Sequence, residues 1–317
     1  MKKRLYLPIL ALIIVLSLSA CTNEQSQPKE PSDENSVQNA QLISEDRAGN
    51  KINIPSEIDR IISISPANTE MIVALGYGDK LVAVDKYSED IAGIPDDVPF
   101  FDIMNPDVEQ LVALEPDIIY ATGMSMSDGN DPFKPIKDLG ITVAYIPSSD
   151  SIEGIYKDII FIADSLQAGD KGRDIVDNMK TEISRFEKIS TTIENKKKVY
   201  FEIAAAPDLY SFGSGVFLNE MIELLGAENI LKDQEKWVSI SDEVIVASNP
   251  DIILTNVNYI ENAVDEIKNR TGWENITAVK NDDVYYIDNN FSSLSNQNII
   301  KAMEQMSVAI YPEVYKK

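Results

Sequence analysis

The sequence predicts an α/β protein of two similar lobes, each built on a mainly parallel sheet, joined by a single long rigid helix. Three observations predict it. Thr69–Gly76 (TEMIVALG) and Asn219–Gly226 (NEMIELLG) agree at five of eight positions, and Glu109–Ile119 (EQLVALEPDII) is answered later by Glu243–Ile253 (EVIVASNPDII). The same two signatures in the same order mark an internal duplication. Strand-like and helix-like segments also alternate in both halves, as in a parallel sheet with helices on its faces. Between the halves, the stretch from Asp170 to about Glu194 has no Gly or Pro after Gly172, and it places Ile175, Val176, Met179, Ile183 and Phe186 at helical spacing.

The chain opens on Lys2-Lys3-Arg4, an apolar run over Leu5–Leu18, and Leu18-Ser19-Ala20-Cys21. The run is short for a membrane span, and small residues precede the cysteine. The L-S-A-C tetrapeptide resembles the lipobox of bacterial lipoproteins, which implies a signal peptide over 1–20 and lipidation at Cys21. Cys21 is the single cysteine, so no disulfide within one molecule is possible. From Thr22 to Gln41 the chain is rich in Gln, Glu, Ser, Asn, Pro and Lys, with no aromatic residue and almost nothing apolar. It offers too little apolar surface to fold, so residues 21–41 read as the lipidated cysteine and a flexible tether. A tether of about twenty residues has a root-mean-square reach on the order of 25 Å. The body then starts at residue 42.

The first lobe spans 42–168. Arg60–Ser65 is a buried-strand run, and Pro66-Ala67-Asn68 opens a helix that Gly76 stops. Leu81–Val84 is a strand, Asp107–Leu114 a short helix before Pro116, and Ile118–Ala121 a strand. Phe133–Leu139 is a helix ended by Gly140, Ile141–Ile146 a strand, and Ser151–Leu166 a helix. The connecting helix occupies 169–195. At about twenty-four residues it would span roughly 36 Å, a strut rather than a flexible hinge. The second lobe, 196–317, restarts with the strand Lys198–Ile203, followed by the helices Val216–Leu225 and Ser241–Ala247. The strands Ile252–Thr255 and Asn281–Ile287 and a final helix over Ser295–Ile310 complete it.

Composition restricts the function. With 28 Lys+Arg against 52 Asp+Glu the formal charge is −24, a surface that repels phosphate backbones, so nucleic acid is excluded as a partner. The chain has no histidine, which removes the commonest general base, the Ser-His-Asp arrangement and the usual zinc sites. No phosphate-binding glycine motif occurs, and Gly213-Ser214-Gly215 reads as a helix entry. An enzyme is therefore not expected, nor a resident cofactor or metal.

Glu70 and Glu220 occupy equivalent places in the duplicated helices. One such Glu would be a helix-dipole partner and nothing more. Their recurrence predicts two exposed carboxylates, one per lobe, able to grip basic residues on a partner. Arg60-Ile61-Ile62-Ser63-Ile64-Ser65-Pro66-Ala67-Asn68-Thr69-Glu70, with Gly76 and Asp79, resembles the opening signature of the substrate-binding proteins of ABC importers for ferric siderophores, haem and cobalamin. Asn105–Tyr120, Gly226-Ala227-Glu228-Asn229-Ile230, Trp237–Ser241, Asn249–Ile252 and Gly272-Trp273-Glu274 through Tyr285 continue the match, which runs from about Arg60 to Tyr311. Ala227 departs from the family, which more often has a second Gly at that turn.

The resemblance implies a bilobal monomer that closes only slightly on its ligand. It implies a membrane tether through a lipid anchor and delivery of a small-molecule metal chelate to a permease. It also implies that one Glu per lobe docks on permease arginines, mapping to Glu70 and Glu220, with Glu223 as a rival for the second place. Ligands in such folds bind at the carboxyl ends of the strands. The residues expected there are Tyr87, Met124, Met126, Tyr210, Phe212, Trp237, Asn256 and Tyr259. The few arginines beyond the signal segment, Arg47, Arg60, Arg173, Arg185 and Arg270, argue against a strongly anionic ligand. They favour a ferric hydroxamate first and a corrinoid second; haem stays open because a cleft tyrosine can ligate iron.

Overall fold

Two parallel sheets that share a four-strand order, the first with one further strand at its edge, carry the body. The computed structural model describes residues 43–123 and 131–316, so the signal segment 1–20, Cys21, the tether, Met124 and Met126 lie outside the described residues. The first lobe contains β1 (Ile61–Ser63), α1 (Pro66–Ala74), β2 (Leu81–Asp85), β3 (Phe100–Phe101), α2 (Val108–Ala113) and β4 (Ile118–Ala121). It continues with α3 (Lys134–Asp138), β5 (Thr142–Tyr145) and α4 (Ile152–Ser165), and α5 (Gly169–Ser190) follows. The second lobe contains β6 (Lys198–Glu202), β7 (Tyr210–Phe212), α6 (Phe217–Leu224), β8 (Glu228–Asn229), β9 (Trp237–Ser239) and α7 (Asp242–Ser248). After these come β10 (Ile252–Thr255), α8 (Ala263–Lys268), α9 (Thr277–Lys280), β11 (Val284–Tyr286), α10 (Asn289–Ser293), α11 (Ile299–Ile310) and α12 (Pro312–Tyr315).

The first sheet runs β3-β2-β1-β4-β5 and the second β11-β10-β6-β8, all parallel. Read in the matching direction, β2-β1-β4-β5 and β8-β6-β10-β11 superpose as topologies. The two sequence repeats fall on α1 and α6, and on α2-β4 and α7-β10. Each repeat has a mechanical purpose. Gly76 and Gly226 end the paired helices at φ +86° and +83°, where a side chain is strained. Glu115 and Asn249 turn the chain at φ 46° and 47° just ahead of Pro116 and Pro250. The next residue ties adjacent strands: Asp117 accepts from the N–H groups of Asp59 and Arg60 at 2.8 and 2.9 Å, and Asp251 accepts from that of Lys198 at 2.8 Å.

Side chains alternate between two faces along each buried strand. Ile61, Ile118 and Tyr120 of the first sheet share one continuous core with Val199, Phe201 and Leu254 of the second. The buried stripe of α5 (Val176, Met179, Ile183, Phe186) belongs to that same core. The opposite faces close two separate cores, around Ile62, Ile119 and Phe133, and around Tyr200, Ile253 and Trp273. The 22-residue α5, about 33 Å long, is thus packed into both lobes along its length. It approaches α4 closely where Gly172 faces Ala163.

Two predicted helices are shorter than expected, and one strand pair is additional: the connecting helix, expected over 169–195, ends at Ser190. The last helix starts at Ile299 and not Ser295, because Asn296 turns its side chain onto the N–H of Asn298 at 2.8 Å and holds residues 295–298 as a loop. The antiparallel pair β7–β9 was not predicted, since three-residue strands carry no measurable periodicity.

Candidate functional site

Contacts between the lobes locate the site. Asp150, which follows β5, pairs with Lys236 beside β9 at 2.8 Å. The N–H of Ile152 at the start of α4 donates to Glu220 on α6 at 2.9 Å. Asn296 and Asn298, between β11 and α11, both donate to Glu70 on α1, the former at 2.7 Å. Every one of these residues lies beyond the carboxyl end of a strand or on the helix that follows it. The lobes therefore meet through the strand ends that bind ligands in open α/β sheets.

Exposed aromatic side chains gather on those ends. Tyr87, just past β2, is 65 % exposed, with the Lys86 ammonium 5.1 Å from its ring centre. Its base is a buried polar chain. Asp85 accepts from the Tyr87 N–H at 2.9 Å and from the Ser88 hydroxyl, which lies 3.2 Å from Thr69, itself 2.8 Å from Ser63. Burial pushes the Asp85 carboxyl above its ordinary pKa, and the bonds from Ser88 and Tyr87 pull it part of the way back. In the second lobe, Tyr259 is 66 % exposed and accepts from the Ala205 N–H at 2.9 Å, which links the loops after β10 and β6. Tyr210 and Trp237 are each a little over one-third exposed and are brought together by the β7–β9 ladder.

Two expected ligand residues are turned inward. Phe212 is fully buried, 5.6 Å from the Phe201 ring and edge-on to Trp237 at 6.0 Å, so it backs the wall and does not face it. Asn256 is buried with its amide on Ser292 and Ser293 at 3.0 and 3.1 Å, where it anchors α10. Position after a strand places a residue at the rim; the local pleat decides whether it points out. Met104 and Tyr286, both exposed, are rim residues that the sequence reading missed. Tyr286 ends β11, so the strand-end rule applied to the last strand would have found it.

The paired glutamates also differ from expectation. Both Glu70 and Glu220 are half-buried and engaged across the lobe boundary, not free on the surface. Burial raises the Glu220 pKa against the Ile152 N–H, and the neighbouring Glu223 raises it further. Glu223 is exposed and accepts from Asn219 at 3.0 Å.

All five arginines among the described residues are engaged elsewhere. Arg47 pairs with Asp158 at 2.6 Å, Arg173 with Asp170 at 2.9 Å and Arg185 with Glu182 at 2.7 Å. Arg60 caps α2 through the Leu114 carbonyl at 2.7 Å, and Arg270 holds Glu202. Among the described residues, no cluster of His, Cys, Asp or Glu suits a metal ion, and no helix is long and apolar enough to cross a membrane. Two grooves of about 730 and 710 Å³ lie away from the rim, one beside Lys196 and Asp251 at the amino ends of β6 and β10, the other between α4 and α5.

A profile described as "periplasmic binding protein" matches residues 61–291. An uncharacterized ABC transporter substrate-binding lipoprotein, YvrC of Bacillus subtilis, is 33% identical over the full length of both chains. A vitamin B12-binding protein of Yersinia pestis is 28% identical over 66% of this chain and 72% of its own. Among solved structures, a possible iron-binding periplasmic solute-binding protein from Staphylococcus epidermidis aligns with a TM-score of 0.72 and 29% identity, covering 81% of this chain and all of the other.

Proposed function

Because the chain belongs to the periplasmic binding protein family, we propose that it is an extracytoplasmic solute-binding lipoprotein that hands a metal chelate to an ABC importer. The ligand we favour is a ferric hydroxamate siderophore. A corrinoid is the second reading, supported by the B12-binding relative, and haem the third. The observation that carries the choice is the pairing of an aromatic rim (Tyr87, Tyr210, Trp237, Tyr259) with arginines that are all committed elsewhere. Flat apolar walls suit a bulky chelate, and the absence of a free guanidinium among the described residues disfavours a highly anionic one. The protein performs no chemistry on its cargo. It works as a monomer tethered through lipidated Cys21.

Titration of the protein with ferric hydroxamates, cobalamin and haem, followed by tryptophan fluorescence, tests the ligand. Binding on the order of micromolar or tighter to one class is expected. Binding to none of the three overturns the ligand assignment. Docking on the permease falls to Glu70 and Glu220, which the repeat places equivalently, ahead of Glu223. Glu70→Gln and Glu220→Gln, which keep shape and remove charge, should each impair uptake by cells; full uptake in both removes the docking role.

A further inference from the structure

Two of the contacts that join the lobes are made by equivalent residues. α1 and α6 hold the same place in the duplicated topology, and so do α4 and α11, the last long helices of their lobes. Glu70 on α1 reaches the loop that starts α11, taking Asn296 at 2.7 Å and Asn298, while its own carbonyl accepts from Gln297 at 3.3 Å. Glu220 on α6 reaches the start of α4 and takes the Ile152 N–H at 2.9 Å, beside the Asp150–Lys236 pair. Each glutamate thus leaves its own lobe and meets the start of the other lobe's last long helix, Glu220 through the backbone N–H of Ile152 and Glu70 through the side-chain amides of Asn296 and Asn298. The Ile152 N–H is one of the first-turn donors that α4 itself cannot satisfy.

Such exchange has no value for the fold of one lobe. A local Ser, Asp or Asn would cap either helix as well, and Ser151 already caps α4 through Gly154 at 3.0 Å. What the exchange adds is a restraint on the position of one lobe against the other. The Glu70 contact is also built with slack: the side-chain oxygen of Gln297 is buried without a donor, which lowers the net worth of the contact. That suits a contact made to open.

We propose that Glu70 and Glu220 form a matched pair of interlobe clasps, which set the angle between the lobes and must release before either carboxylate can take a basic partner. The second clause rests on the docking reading; the first does not.

Hydrogen–deuterium exchange on the full chain, with no ligand and no permease, tests the clasps. Glu220→Ala should speed exchange on the order of threefold at residues 152–155 and, because both clasps restrain one motion, also at residues 294–299. Glu220→Gln should stay near wild type, since its amide oxygen still accepts from Ile152. Asn298→Asp sets a carboxylate against Glu70 and should loosen both regions from the other side, which keeps the test open if Glu220→Ala fails to fold. Faster exchange confined to the substituted contact, or unchanged exchange, overturns the proposal. Lost uptake in Glu220→Gln with wild-type exchange supports docking independently, and full uptake in both Glu70→Gln and Glu220→Gln defeats docking without touching the clasp.

Discussion

Arg270 grips Glu202 with two parallel hydrogen bonds of 2.7 and 3.0 Å inside the second lobe, where both side chains are almost wholly buried. The same guanidinium lies 4.3 Å from the Trp273 ring and also reaches Glu266. Burial pushes the Glu202 carboxyl up and Arg270 draws it back down. Replacing Arg270 by Met leaves a carboxylate buried at the end of β6 with no cation. The expected loss is about 3 kcal/mol in urea unfolding, the usual cost of breaking a buried pair. A change under about 0.5 kcal/mol would mean that Glu202 takes up a proton at little cost.

Ligand titrations should report through one tryptophan. Trp273 is fully buried and donates its indole N–H to Asp242 at 2.7 Å, whereas Trp237 is 38 % exposed on the rim. Trp237→Phe should abolish the fluorescence change on binding, and Trp273→Phe should retain it. The reverse result would move the binding site away from β7–β9.

Asp85 gives a pH signature. Its folded pKa lies above the ordinary value of 3.8 because it is buried without a cation. The folded state therefore binds this proton more tightly than the unfolded state, so stability falls as pH rises through the window between the two pKa values. Asp85→Asn keeps the acceptor for Tyr87, and Ser88 can rotate to accept from the new amide. The melting temperature of the variant relative to wild type should climb across that window and level off above it. A difference that does not vary with pH would place the carboxylate in water.

Gly172 sets the gap between α4 and α5. A Cβ there would stand 2.3 Å from the Ala163 Cβ, and neither atom can swing aside. Gly172→Ala gains up to about 1 kcal/mol in helix propensity, but overpacking costs roughly 1–3 kcal/mol, so net destabilisation is expected. Adding Ala163→Gly should recover part of the loss in chemical denaturation. A Gly172→Ala variant more stable than wild type would show that the helices separate freely.

Much of the fold was legible because duplication doubles every signal. The helix that Gly76 ends and the one that Gly226 ends are each short and ambiguous, yet together they fix two lobes of one topology. The Pro-Asp steps at 116–117 and 250–251 mark strand starts because in both halves the proline follows a left-handed turn and the aspartate accepts from the backbone N–H that leads into the neighbouring strand. Short elements were not legible: β7 and β9 are three residues each and exist because they pair with one another. The rim was legible as positions but not as directions. Phe212 and Trp237 face each other across one ladder, and only packing decides that the first is buried and the second half in water.

By itself the sequence determined the architecture, two parallel α/β lobes about one long helix, since local periodicity, helix stops and the internal repeat all act over a few residues. It also singled out Glu70 and Glu220 as equivalents. Only the tertiary structure decided what those carboxylates touch. Their partners stand 226 and 228 positions away for Glu70 and 68 for Glu220, and no local pattern encodes a contact made when two separately built sheets come together.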